Sequence, residues 1–152
     1  MGFDVYGSRA KSEKGEYFRN NVWWWHPLAD YVLEHVDMPE SEGRDWHSNS
    51  GQKVSGATAL KLADTLDKLV ASGEAAEYER RYKAELESLP LKVCDCCDGR
   101  GVRNDSVVQN KTCNVCDGSG KQEDWRTHYP FSADNVKEFS EFCRDSGGFR
   151  IF

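Results

Sequence analysis

Four of the six cysteines stand in two C-x2-C pairs, Cys94 with Cys97 and Cys113 with Cys116, separated by fifteen residues. Zinc favours a tetrahedron of soft donors. A C-x2-C turn brings two thiolates onto one ion without strain, and two such turns complete the shell. Each pair is followed by glycines in the same places, Gly99 and Gly101 in one half and Gly118 and Gly120 in the other, so C-x-x-C-x-G-x-G occurs twice. Glycine accepts the positive φ that a metal knuckle needs when its amides turn toward the sulfurs. The pattern predicts one structural zinc ion per chain, ligated by Cys94, Cys97, Cys113 and Cys116. Cys96 lies inside the first pair, but the symmetric repeat favours Cys94 and Cys97 as the ligands. Cys143 falls on the apolar face of a helix and reads as an inert core thiol.

Other chemistry is thinner. His26, His35, His47 and His128 could serve as acid–base groups, but the chain has no nucleophile elbow, phosphate-binding loop, HExxH or paired-carboxylate signature. His26 precedes Pro27 and His35 lies on a helical face, both readable as structural. The residues therefore argue against an enzyme, and no catalytic residue is assigned. Aromatic residues are more telling. Tyr17, Phe18, Trp23, Trp24 and Trp25 fall within nine positions, and three consecutive Trp cannot all point inward from one turn of chain. Trp46-His47 interrupts a polar stretch and reads as an anchor or part of a site. Trp23, Trp24, Trp25, Trp46 and His47 are accordingly the candidates for contact with a partner.

The charge balance limits what that partner is. Twenty basic residues against 26 acidic ones give a net charge of −6. Residues 1–93 hold 12 basic and 16 acidic groups, and residues 94–152 hold 8 and 10, so neither part is basic. The cysteine segment itself sets Arg100, Arg103 and Lys111 against Asp95, Asp98, Asp105 and Asp117. Such a balance disfavours phosphate-driven binding to nucleic acid, although single-strand stacking on exposed Trp stays open. No apolar run approaches the roughly 20 residues of a membrane helix, and no signal-peptide pattern opens the chain. With cysteines at metal spacing, this points to the cytoplasm.

The elements that must position these residues follow from periodicity. Alternation in Phe3-Asp4-Val5-Tyr6 predicts a strand ended by Gly7, and residues 8–16 read as a loop. Asn21 or a neighbour is expected to cap a helix with Pro27 in its first turn, and Leu28, Tyr31, Val32, His35 and Val36 fall at helical spacing. Residues 37–53 read as a long surface loop. Ser55 opens the clearest helix, with Ala59, Leu62, Ala63, Leu66, Leu69 and Val70 as its stripe, and Gly73 ends it. A second stripe runs through Ala75, Tyr78, Tyr82, Leu86 and Leu89 to Pro90, giving a helical hairpin over 55–89 or a sharply bent pair. Ser132 caps a last helix with Phe131 and Val136 placed as a hydrophobic staple. Gly147-Gly148 closes it, and Phe149-Arg150-Ile151-Phe152 alternates as a strand able to pair with the first. The whole reads as α+β: an aromatic-rich part over 1–93, a zinc-binding β-hairpin over 94–121, and a helix and strand over 122–152 that pack back on the first part.

The doubled C-x-x-C-x-G-x-G resembles the cysteine-rich region of the DnaJ chaperone family, over residues 94–120 only. That family carries four repeats and two zinc ions, whereas two repeats build one site. Its J-domain needs His-Pro-Asp, and the sole counterpart, His26-Pro27-Leu28, lacks the Asp. The resemblance implies a zinc-holding hairpin and not co-chaperone activity. The whole chain also resembles a family of uncharacterised phage and prophage proteins. This is carried by Met1-Gly-Phe-Asp-Val-Tyr-Gly7, Tyr17-Phe-Arg-Asn-Asn-Val-Trp-Trp-Trp25, the zinc repeat, and Asn135-Val-Lys-Glu-Phe139 with Ser146-Gly-Gly-Phe149. It implies an accessory protein in the cytoplasm of an infected bacterium. The expectation is a binding protein with one structural zinc that engages a host or phage protein, such as a host defence or transcription factor that it inhibits. A nucleic-acid-binding zinc protein, and a thiol-redox protein or small enzyme, are the alternatives.

Overall fold

A computed structural model describes residues 1–103 and 111–152. In chain order the elements are β1 (Gly2–Gly7), a 3₁₀ turn at Glu13–Gly15, β2 (Tyr17–Asn21), α1 (Val22–His35), α2 (Glu40–Gly43), β3 (Gln52–Val54), α3 (Gly56–Ala71) and α4 (Glu74–Glu87). Four two-residue strands follow: β4 (Lys92–Val93), β5 (Val102–Arg103), β6 (Lys111–Thr112) and β7 (Lys121–Gln122). A 3₁₀ turn at Trp125–His128, α5 (Ala133–Ser146) and β8 (Phe149–Ile151) complete the chain. The class is α+β. Contacts divide it into a unit of Met1–Lys83 with Tyr129–Phe152 and a unit of Ala84–His128. Among the described residues, no helix is long and apolar enough to cross a membrane.

The first unit is built on an antiparallel sheet of order β2-β1-β8-β3. The expected pairing of the last strand with the first is present, with Val5 opposite Ile151 and Gly7 opposite Phe149. Period-two alternation buries Phe3, Val5, Phe18, Val54, Phe149 and Ile151 on one face. The helices α1 and α5 pack on that side. Trp25, Trp46, Tyr31, Phe139, Phe142 and Leu62 fill the space between, all essentially inaccessible. At roughly 1.5–3 kcal/mol for each large side chain removed from water, this cluster is the main stabilising mass of the unit.

Local chemistry sets the helix ends. Asn21 caps α1 by accepting from the Trp24 amide at 3.1 Å, Ser55 caps α3, and Ser132 caps α5 through the amides of Asp134 and Asn135. Gly147 closes α5 in the left-handed region at φ +63°. Two expectations need correction. Pro27 is the sixth residue of α1, not in its first turn, so the helix runs on through a position that cannot donate to the Trp23 carbonyl. Residues 37–53 also contain α2 and β3, not loop alone.

The polar Gln52 of β3 is buried because its amide is fully used. Its Nε2 donates to the carbonyls of Ser41 and Lys53, and its Oε1 accepts from the Asp45 amide. Helix α3 lies along α5 rather than back along α4 as a hairpin would. Ser140 Oγ reaches the Ala63 carbonyl and Asp67, and Arg144 grips Asp64 and Asp67 at 2.9 and 2.7 Å.

Candidate metal centre

The second unit is arranged around the cysteines. Strand β4, before the first C-x2-C, pairs with β7, after the second. Strand β5, after the first, pairs with β6, before the second. The two knuckles are therefore related by an approximate two-fold, and the main backbone bonds of one recur in the other. Cys94 N donates to the Gly120 carbonyl at 3.0 Å, and Cys113 N to the Gly101 carbonyl at 2.9 Å. Arg100 N donates to Cys97 O, and Ser119 N to Cys116 O. Asp98 and Asp117 hold φ of +49° and +47°.

All four sulfurs are buried, and their Sγ atoms lie within 4.8 Å of one another. Among the described residues this is the sole group of three or more potential ligands that converges. Cys94 and Cys113 Sγ are 3.9 Å apart, and Cys97 and Cys116 Sγ are 3.7 Å apart. Those separations are far beyond a disulfide bond, and all six cysteines are free thiols. They match the edge of a tetrahedron, about 3.8 Å when each metal–sulfur bond is about 2.3 Å. The donor set and its spacing thus fit a tetrahedral metal ion.

Backbone amides complete the fit. The amides of Cys96 and Cys97 turn onto Cys94, and those of Val115 and Cys116 onto Cys113. Gly101 N and Gly120 N each reach the second sulfur of their own knuckle, Cys97 and Cys116, at 3.3 Å. This gives the last glycine of each repeat a specific role. Its φ is +73° or +72°, and a Cβ there would sit 2.3 Å from the carbonyl oxygen of Gly118 or Gly99 in the opposite knuckle. Burial pushes the Cys94 thiol up. For Cys113 the effect of burial is outweighed by hydrogen bonds from Cys116 and Val115, which bring it down. Four thiolates gathered in this space would need a cation among them.

A buried carboxylate ties the unit together, and the sequence reading missed it. Asp124, 2% exposed, accepts from Lys92 Nζ at 2.7 Å, the Arg126 amide at 3.0 Å and the Arg126 guanidinium at 3.1 Å. The hydrogen bonds from Arg126, then Lys92, hold its carboxyl well below the usual carboxylate range. An Asp two residues before an Arg is too common a pattern to have flagged it. Beside the second knuckle lies an open groove of about 650 Å³ whose walls include Leu91, Asp95, Val115, Lys121, Trp125 and His128. Val115 is 52% and Trp125 62% exposed. Cys96 is exposed, and Cys143 is buried among the α5 core residues, where desolvation pushes its thiol up.

The residues singled out for partner contact do not form one surface. Trp25 and Trp46 are fully buried. The Trp25 indole donates to the Trp46 carbonyl at 2.7 Å, and the Trp46 indole to the Glu42 carbonyl at 2.8 Å. These two are core, and the polar stretch around Trp46 folds back to bury it. Trp24 is half-buried, Trp23 is exposed with its edge on Tyr129, and His47 is exposed. His47 Nε2 lies 2.9 Å from Asp30, and its Nδ1 lies 2.7 Å from His26 Nδ1. This network assigns His47 as donor to Asp30 and acceptor from His26. The ring centroids are 5.0 Å apart, so the two nitrogens face each other head-on. An ion needing about 2.0 Å to each nitrogen does not fit between them. Burial, then the neighbouring His47, lowers the pKa of His26. The pair fastens the Trp46 segment to α1. Comparison of the chain with protein-family models, with curated proteins and with solved structures returned no match.

Proposed function

We propose that this is a non-catalytic binding protein whose second unit is braced by one zinc ion on Cys94, Cys97, Cys113 and Cys116. The observation that supports this reading is the buried all-thiolate donor set. Four sulfur ligands close a tetrahedron, leave no position for water or substrate, and make the metal a structural element. A ribbon of two-residue strands with, among the described residues, no buried apolar cluster beyond its cysteines depends on such a brace to hold its shape.

The partner we propose is a protein, and the contact is the groove beside the second knuckle. There, Leu91, Val115 and Trp125 stand among Lys121, Asp117 and Glu123, an apolar centre within a charged rim. The proposed setting is the bacterial cytoplasm during phage infection. The partner there is a host or phage protein, with inhibition of a defence or transcription factor as the outcome. That setting rests on the sequence resemblance alone. The test is capture of partners from bacterial lysate by the intact protein and by Val115→Glu, a solvent-facing change. A protein retained by the former and lost by the latter, at equal metal content and melting temperature, is the expected result. Capture that ignores Val115→Glu, or no capture at all, contradicts the reading.

A further inference from the structure

The sheet of the first unit has a second face, and it is unlike the rest of the molecule. Alternation that sends Phe3, Val5, Phe18 and Phe149 inward sends Asp4, Tyr6, Tyr17, Arg19, Lys53 and Arg150 outward. Strand register aligns them in rows. Tyr17 is opposite Tyr6, Tyr6 is opposite Arg150, and Arg150 is opposite Lys53, one row across all four strands. In the next row Arg19 is opposite Asp4, which exchanges backbone hydrogen bonds with Phe152 at 2.7 and 2.8 Å.

Three rings therefore cluster on this face. Tyr6 is central, with Tyr17 at 5.1 Å and Phe152 at 6.0 Å between centroids. They are 50%, 45% and 42% exposed, so their faces meet water rather than core. Cations border them on both sides, Arg19 toward β2 and Arg150 with Lys53 toward β3. Arg19 is drawn to Asp4, and Lys53 lies within electrostatic reach of Glu42. Arg150 is exposed and in no ion pair among the described residues. On a chain of net charge −6, three cations against Asp4, with Glu42 reaching Lys53 from outside the face, still leave the face locally positive through Arg150.

Exposed rings flanked by cations match the chemistry of an unpaired polynucleotide: bases stack on the rings and phosphates meet the cations. One further group selects the sugar. Tyr17 and Arg19 both engage Asp4 Oδ1, and Oδ2 accepts no hydrogen bond from the described residues. A free carboxylate oxygen beside a base-stacking surface suits a ribose 2′-hydroxyl, a donor that deoxyribose lacks. We propose that this face binds single-stranded RNA, with bases on Tyr6, Tyr17 and Phe152 and the backbone along Arg150 and Lys53. The inference uses the first unit alone and does not depend on the metal centre.

The experiment is fluorescence anisotropy of a labelled oligo-uridine of about twelve nucleotides with the intact protein, at low and at raised salt. The expected result is binding that weakens as salt rises, falls about tenfold with Tyr6→Ala, and loses part of its salt dependence with Arg150→Glu. Both positions face solvent, so melting temperatures should stay close to that of the unmodified chain. If Tyr6→Ala lowers the melting point, Tyr6→Thr keeps a good strand former while removing the ring. No binding at about 100 μM protein, or binding indifferent to both ring-removing variants, overturns the proposal. Equal affinity for the matching DNA strand overturns the assignment to RNA. A dimer that dissociates on Tyr6→Ala shows instead that a second copy covers the face.

Discussion

Gly101 and Gly120 are the residues on which the four-sulfur arrangement turns, and neither is itself a candidate ligand. Each combines positive φ, an amide aimed at a sulfur, and a carbonyl 2.3 Å from where a Cβ would stand. Gly101→Ala or Gly120→Ala is therefore expected to weaken metal binding severely, read by competition with a chromogenic chelator. Gly73 also holds positive φ, +85°, but meets nothing within 4 Å, so Gly73→Ala should cost only about 1–2 kcal/mol in a thermal melt and leave metal affinity unchanged. Asp124 gives a pH prediction. Its pKa is depressed in the folded chain, so its stabilising effect is complete above the unfolded carboxylate pKa and fades as pH falls toward the folded one. The unmodified second unit should outlast Asp124→Asn in melts at neutral pH, and the gap should close in acid. A constant gap would mean that the charge is irrelevant.

Among the elements, the long periodic helices were legible and the short strands were not. Ser55 and the Leu62-Leu66 stripe, and Ser132 with Val136 and Phe139, announced α3 and α5 because caps and apolar steps agree over four turns. Gln-Lys-Val in β3 has only three residues, and Gln52 is buried by its hydrogen bonds, a fact no hydropathy pattern carries. Trp23, Trp24 and Trp25 could be known to face different ways, but not which way. The partner that places Trp25 is Trp46, twenty-one residues distant. That pairing yields a prediction at the same scale. Trp46→Ala should cost about 3–5 kcal/mol and unfold or melt the first unit early. Trp23→Ala, at an exposed position, should stay within about 1 kcal/mol. Chemical denaturation of both variants checks the contrast.

At the scale of the molecule, the chain holds two kinds of stabilising centre. One is the aromatic core of Met1–Lys83 with Tyr129–Phe152, and the other is the cysteine cluster of Ala84–His128. The cysteine repeat made the second legible, since spacing alone brings four thiols together. The sequence did not reveal how far the unit extends. It runs from Ala84 to His128, and Lys92, Asp124 and Arg126 join beyond the repeat. Treatment with a strong chelator is expected to collapse hydrogen-exchange protection around β4–β7 and to leave β1, β8 and α5 protected.

The most direct test of the central claim is native mass spectrometry of the intact chain and of Cys113→Ser, with the metal identified by elemental analysis. One zinc ion per chain is expected in the former, and loss or marked weakening of that ion in the latter. A metal-free native chain, iron in place of zinc, or zinc held undiminished by Cys113→Ser would contradict it.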